Sequence, residues 1–470
     1  MATSAAQQAM LPLRFGIEIE FLFGLDNAKA AANPAYEEIL RNNIILADDQ
    51  VDEIYEREFD EATDRNAEGL FQAASALRRK GANLRIRFAV NSGGPEDFSR
   101  WTLTQESAVE FPTSSAELSA YTNGEFRRCE NCAFAGLELI SPILKVPDVR
   151  DGSLNGLVEV NEFLGHMRGR QDVPCFFSAE PKNASVHVHI GLPPTADGRA
   201  VDLPLNLLRH LAFICIAFED VISLLHHPER LGFPDTKIEV HGKPNRVFLG
   251  RNPVTSPLHN CREGPEFSAQ DEFVKIFNYD HGSDRVDRTR LCAVLCSRTG
   301  GDMTRSIFVN FTNIMPTPGR APHTKQTVEF RQHHGTLSVE EINQWVFFVT
   351  VLVRAAERKM KQDPVEVPLP YDFIPKVIDK QGDYSKQILT LQQAWKYPEI
   401  LWNKKRSLKE LFDLMDMPLE RRMWWWQKAS YLRSNAFKEY HYMSTCDAPC
   451  DNPPRRDCDG WDGEGIPRPF

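Results

Sequence analysis

Phe15-Gly16-Ile17-Glu18-Ile19-Glu20-Phe21-Leu22-Phe23 sets an apolar side chain at every second position and carboxylates at two of the positions between. Successive side chains of a strand point to opposite faces. Phe15, Ile17, Ile19, Phe21 and Phe23 therefore share one face, while Glu18 and Glu20 stand together on the other, roughly 7 Å apart. Two more stretches repeat the pattern. Val186-His187-Val188-His189-Ile190 puts both imidazoles opposite an aliphatic face, and Thr327-Val328-Glu329-Phe330-Arg331 does the same with a carboxylate and a guanidinium.

Taken singly, each motif has an ordinary explanation. Glu-x-Glu is most often a solvated strand face. His-x-His is as often structural as ligating, and Glu-x-Arg is commonly an exposed pair worth about 0.2–1 kcal/mol. Three strands that each back such groups with an apolar face are hard to reconcile with independent accidents. They point to one polar sheet face that gathers metal and phosphate.

Composition sets the bounds. A chain of 470 residues can bury a large core and accommodates two or three domains, or one large domain with an appendage. A formal charge of −10 with no long Lys/Arg run argues against a nucleic-acid partner. Residues 1–11 lack the basic start and apolar core of a secretory signal. The most apolar long stretch, Leu205 to Leu225, is interrupted by Arg209, His210, Glu219 and Asp220, so it reads as a buried helix and not as a span. The expectation is a soluble, cytoplasmic protein without a membrane partner; an oligomer is left open. Ten cysteines show no disulfide framework, and Cys215, Cys292 and Cys296 lie among apolar residues where a reduced thiol packs as a small hydrophobe. Cys129-x-x-Cys132 lacks a second pair at zinc spacing, and Cys446, Cys450 and Cys458 have no nearby histidine.

The chain divides by composition into a flexible N-terminus (1–12), a mixed domain (13–360), a helical extension (361–443) and a disordered tail (444–470). Helices are predicted over 35–57, 64–80, 155–168 and 203–227, and strands over 84–90, 101–104, 136–140 and 306–311. Glu138, on the strand ended by Ser141-Pro142, adds a fourth acidic position. Ser338-x-x-Glu341 is a capping box opening a long helix to about Met360. Strands alternating with helices suggest an α+β domain whose sheet carries helices on one face and an open active-site face on the other. The prolines of 364–375 end this domain. Helices follow over 385–397, 407–415 (a second Ser-x-x-Glu box) and 419–440. Trp424, Trp425 and Trp426 lie consecutively in the last of these, so at least one must pack inward.

The chemistry follows from repulsion. Carboxylates about 4 Å apart repel by roughly 4 kcal/mol at an effective dielectric near 20, so several cannot remain ionised together without a cation. An oxygen-rich set with one or two imidazoles favours Mg²⁺, with Mn²⁺ as the alternative, over zinc. Arg331 offers a planar fork suited to a transferring phosphoryl group. No Gly-x-x-x-x-Gly-Lys-[Ser/Thr] loop occurs, so a nucleotide would have to be held by the sheet face itself.

Four motifs in order carry a resemblance: Phe-Gly-Ile-Glu-Ile-Glu (15–20), Gly-Leu-Glu-Leu-Ile-Ser-Pro-Ile-Leu (136–144), Ser-Val-His-Val-His-Ile-Gly (185–191) and Thr-Val-Glu-Phe-Arg-Gln-His-His-Gly-Thr-Leu (327–337). Together they resemble the amidoligase family, carboxylate-amine ligases similar to glutamine synthetase and glutamate-cysteine ligase. The resemblance covers residues 13 to 358 and leaves out the C-terminal helices. It implies a glutamine-synthetase-like, mainly antiparallel sheet. It also implies a two-step reaction in which ATP phosphorylates a substrate carboxylate and an amine displaces phosphate to leave an amide. Glu20 and Glu138 would hold one metal, and Glu18, His187 and Glu329 the metal on the ATP phosphates. His189 would touch a phosphate, and Arg331 would stabilise the transferring group. His187 and His189 stay interchangeable as metal ligand at this level. Where the family shows Asp-x-Ser after a tryptophan, this chain has Trp101 followed by Glu106-Ser107, one methylene longer. Asn310 would contact cofactor or satisfy a turn, and His333-His334 would orient substrate. Two other classes compete with the ligase: a metal-dependent amide hydrolase using the same ligands with water as nucleophile, and a non-catalytic interaction module. Intact acids, histidines and Arg331 weigh against the latter.

Overall fold

In a computed structural model the described residues are 10–26, 61–87, 98–106, 108–109, 132–167, 175–178, 184–223, 225–227, 230, 245, 268–278, 284–296, 303–315, 325–364, 367–378, 384–402, 408–436, 442–443 and 449–450. The expected helix over 35–57, residues 88–90, Ser107, Ser407, Cys129 and most of the tail lie outside them. The protein is mixed α+β, with a mainly antiparallel open sheet and twelve helices among the described residues. None of these helices is long and apolar enough to cross a membrane. The chain forms two compact units, one of residues 14–189 and 333–347, the other of residues 1–13, 190–332 and 348–470.

The first unit is built on β1 (Arg14–Asp26), a strand of 13 residues. Its odd-numbered face, Phe15, Ile17, Ile19, Phe21 and Phe23, is buried as the alternation requires. Strands β2 (Leu84–Arg87), β3 (Trp101–Gln105), β4 (Cys132–Ile140), β1 and β7 (Ser185–Gly191) lie in the order β2-β3-β4-β1-β7. Two short strands, β5 (Leu144–Lys145) and β6 (Cys175–Ser178), also pair with β1. The pairing is antiparallel at β3–β4 and β1–β4 and parallel at β2–β3. Helix α1 (Glu61–Arg79) packs across β1 to β4. Helix α2 (Gly156–Met167) is fastened to β3, where Phe163 stacks on Trp101 at 4.2 Å and Glu159 accepts from the indole at 3.2 Å.

The second unit carries β8 (Val309–Asn310), antiparallel to β9 (Val328–His334), the part of the 339–361 helix from residue 348 on, and the remaining helices. The predicted strand over 306–311 thus shrinks to the two residues of β8, with Ile307 as an isolated bridge. Asn245 takes the backbone of Val309 on both sides, accepting its N–H at 2.9 Å and donating to its carbonyl at 2.8 Å. Directly after Asn310 the chain turns into a short 3₁₀ segment, 312–314. The single helix expected over 203–227 is two: α3 (Leu205–Ala217) and α4 (Glu219–Ser223). Phe218 leaves helical geometry at the junction, and Glu219 is turned to receive the buried backbone N–H of Asn245. Helices α5 (Ala269–Phe277) and α6 (Asp284–Cys296) pack on α3 through Phe213–Phe273 at 5.0 Å and the Arg209–Asp287 pair at 3.1 Å.

Helix α7 (Val339–Lys361) opens with half of the predicted capping box: Ser338 Oγ accepts from the Glu341 N–H at 3.4 Å, while the Ser338 N–H donates to Thr336 Oγ1 at 3.1 Å and not to Glu341. Five helices follow: α8 (Phe373–Ile378), α9 (Tyr384–Ala394), α10 (Pro398–Trp402), α11 (Leu408–Leu414) and α12 (Leu419–Ala436). Of these, α8, α9 and α10 pack on α5, and α11 packs on α4; Phe373 lies on Phe273, and Tyr397, just before α10, lies on Phe213. Trp425 and Trp426 are buried, as at least one of the three had to be; Trp425 meets His226 at 5.7 Å and Phe348 at 5.2 Å. Cys215, Cys292 and Cys296 are buried free thiols. Burial raises all three pKa values, that of Cys296 to about 12, so they stay protonated and inert.

Candidate metal centre

The polar face of the first unit's sheet is where the alternation becomes chemistry. The β1–β4 register sets Glu20 directly opposite Glu138 and Glu18 opposite Ile140. On the far side of β4, Thr104 faces Glu138, and residue 106, two steps on, falls on the same side. The Glu106 N–H donates to the Gly136 carbonyl at 2.9 Å. Gly136 is needed for this approach, because a Cβ there would stand 2.4 Å from the Glu106 carbonyl oxygen and 2.9 Å from the Val109 Cβ. The glycine of Gly-Leu-Glu therefore allows Glu106 and Val109 to lie against β4, which brings Glu106 to Glu20 and Glu138.

Across β1 on its other edge, β7 supplies the imidazoles. Glu18 lies between them, its Oε2 3.2 Å from His187 Nδ1 and its Oε1 3.2 Å from His189 Nε2. Glu20 Oε1 is 3.5 Å from His187 Nε2. These groups are not spread on a solvated surface: His187 is 2% exposed, Glu20 6% and Glu18 8%. Burial sharpens their mutual repulsion, since charge removed from water needs a compensating partner.

Within the first unit two sets of ligand atoms result, each within 4.8 Å of one another: Glu18, Glu138 and His187, and Glu20, Glu106 and Glu138. Glu138 belongs to both. Five side chains offering carboxylate oxygens and one imidazole suit a hard divalent cation such as Mg²⁺ or Mn²⁺. The directly opposed Glu20 and Glu138, an unfavourable like-charge pair on their own, are what such a cation would neutralise. Among the described residues no cysteine joins a group of this kind.

Glu329, Arg331 and Asn310 lie in the second unit. Glu329 is fully buried on β9 and forms an ion pair with Arg331 Nη1, two residues along the same face. Asn310, paired with Glu329 in the β8–β9 register, donates its amide to Glu329 Oε2 at 2.7 Å. Its Oδ1 accepts from both the N–H and the hydroxyl of Thr312 at 2.8 Å. One side chain thus makes the turn, one of the two roles the sequence offered for it, and also fixes Glu329, which the sequence did not suggest. Arg230, also buried, donates to the Arg331 carbonyl at 2.9 Å. His333 and His334 belong to the first unit, where His333 is buried against Trp345 and His334 pairs with Glu341 at 3.3 Å.

One residue escaped the sequence reading. Ser185, two positions before His187 and on its face, binds both Glu20 and His187. Its signal was its place in the alternation, which a serine shares with any ordinary strand. No protein-family model, curated protein or solved structure matches this chain.

Proposed function

We propose that the chain is an ATP-dependent carboxylate-amine ligase that works with Mg²⁺ or Mn²⁺ and forms an amide or peptide-like bond. The observation that carries the reading is the pair of acidic groups sharing Glu138, one of which includes His187. A divalent cation held there would neutralise phosphate charge and align the reacting oxygens, which is most of what phosphoryl transfer requires. In the first step a substrate carboxylate oxygen attacks the γ-phosphorus and ADP leaves. In the second an amine attacks the acyl carbon, inorganic phosphate leaves with the former carboxylate oxygen, and the amine gives up a proton. Glu18, Glu138 and His187 would hold one cation and Glu20, Glu106 and Glu138 another. The phosphate-facing roles of His189, Glu329 and Arg331 rest on the motif resemblance, with Asn310 holding Glu329 in place.

Calorimetric titration with a non-hydrolysable ATP analogue, with and without Mg²⁺, tests the reading. Metal-dependent binding that is lost in Glu138→Gln and weakened at least tenfold in Arg331→Ala is the expected result. Absence of binding at millimolar analogue overturns the ligase reading. Metal binding without any nucleotide site would return the weight to an amide hydrolase.

A further inference from the structure

Ser185 opens β7, is fully buried, and joins the two acidic groups. Its backbone N–H donates to Glu20 Oε2 at 2.7 Å, its Oγ lies 2.9 Å from the same oxygen, and its Oγ is also in short contact with His187 Nε2. A hydroxyl has one proton and two lone pairs, whereas an ionised carboxylate can only accept. The single Ser185 proton therefore goes to Glu20, and the Oγ lone pair facing His187 requires a donor there. That donor is a hydrogen on Nε2. The other ring nitrogen, Nδ1, lies 3.2 Å from Glu18 Oε2; with the proton on Nε2 both atoms are acceptors, and a cation shared between them is what would relieve the contact. Glu20 Oε2 receives both Ser185 donors, whereas Oε1 takes none from Ser185 and stands 3.5 Å from His187 Nε2.

We propose that Ser185 is a positioning residue for both cation sites: it holds His187 with its proton on Nε2, so that Nδ1 is the ligating nitrogen, and it turns Glu20 so that Oε1 is the ligating oxygen. Ser185, His187 and His189 share a strand face at period two, so one residue behind the ligands sets the geometry of two. The assignment rests on the metal reading above and is independent of whether the reaction is ligation or hydrolysis.

The test uses the full chain carrying isotope-labelled histidine, with Cd²⁺ as a diamagnetic divalent probe and His187→Gln to identify the ring signals. Nuclear magnetic resonance should show cadmium coupling at Nδ1 and a protonated Nε2. Mn²⁺ titration followed by electron paramagnetic resonance should show affinity about 10–100-fold lower in Ser185→Ala, with recovery in Ser185→Thr, which keeps the hydroxyl. Cadmium coupling at Nε2 overturns the proposal, and this readout needs no folded Ser185 variant. Mn²⁺ affinity unchanged in Ser185→Ala also overturns it while leaving the metal reading intact. A wild-type chain that binds neither ion removes both.

Discussion

Glu138 is the residue on which the two acidic groups depend, since it stands opposite Glu20 across the β1–β4 register and counts in both. Without a cation that opposition is destabilising. Glu138→Gln keeps the shape and removes a charge. In chelator the variant should unfold at the same or a slightly higher temperature than wild type. With Mn²⁺ at a hundred times its dissociation constant, wild type should gain about 2.7 kcal/mol of stability and the variant much less. Thermal melts of both proteins with chelator and with Mn²⁺ decide it, and a wild type indifferent to the ion contradicts the centre. Glu18, Glu20, His187 and Glu138 were legible as residues because alternation alone assigns a face. Glu106 was weaker, lying just past the end of a strand, and Ser185 was silent. A serine's role depends on what stands beside it, and its neighbour Glu20 is 165 positions away.

At the scale of elements, turns and short strands decide whether the polar groups meet. Gly335, where β9 leads toward α7, donates its N–H to the Ala184 carbonyl at 2.8 Å. A Cβ on it would come within 2.7 Å of the Ala184 Cβ and 3.2 Å of the Glu20 carbonyl oxygen. Gly335→Ala must push the start of β7 away from β1, which should cost about 1–3 kcal/mol and weaken Mn²⁺ binding; urea denaturation and ion titration measure the two effects. β8 depends in the same way on Asn245, whose amide satisfies Val309 on both sides and the Leu295 carbonyl at 3.2 Å. Asn245→Ala should destabilise by about 3 kcal/mol, because buried backbone groups lose their partners. The strand patterns of β1, β7 and β9 were plain in the sequence. The break between α3 and α4 was not, because apolar spacing runs through Phe218 undisturbed, while the Glu219–Asn245 contact at the break joins residues 26 positions apart.

At the scale of the whole molecule, the C-terminal helices are part of a core and not a loose appendage. Trp425 is fully buried against His226 and Phe348, so Trp425→Ala should lower stability by about 3–5 kcal/mol in denaturant unfolding. His210 reports the same core through pH. Burial, aided by the nearby Lys396, Lys359 and Arg209 charges and opposed by a hydrogen bond to Gln393, depresses its pKa from 6.5 to about 3. Its Nδ1 shares a hydrogen bond of 2.6 Å with the Tyr397 hydroxyl, whose own pKa burial raises. The folded imidazole is neutral while the unfolded one takes up a proton below about pH 6.5. The unfolded chain thus binds more protons between pH 6.5 and 3, and stability falls as pH falls through that window. At pH 4.5 the contribution is about 3 kcal/mol relative to pH 7.5. His210→Gln should show a shallower acid slope in urea midpoints taken between pH 7.5 and 4.5. A slope equal to wild type would mean that His210 is accessible to protons in the fold.

The sequence by itself determined which side chains share a strand face, because a period of two is a property of the backbone and needs no partner. It also determined the chemical character of the centre, since carboxylates and imidazoles opposite aliphatic residues admit few uses. Only the tertiary structure decided the register that opposes Glu20 to Glu138, the approach of Glu106 over Gly136, the proton arrangement that Ser185 imposes, and the core that gathers α8, α9 and α10 with α3 and α5. Each of these joins residues far apart in the chain, and such contacts are selected by close packing and hydrogen-bond satisfaction in three dimensions, which no local pattern encodes.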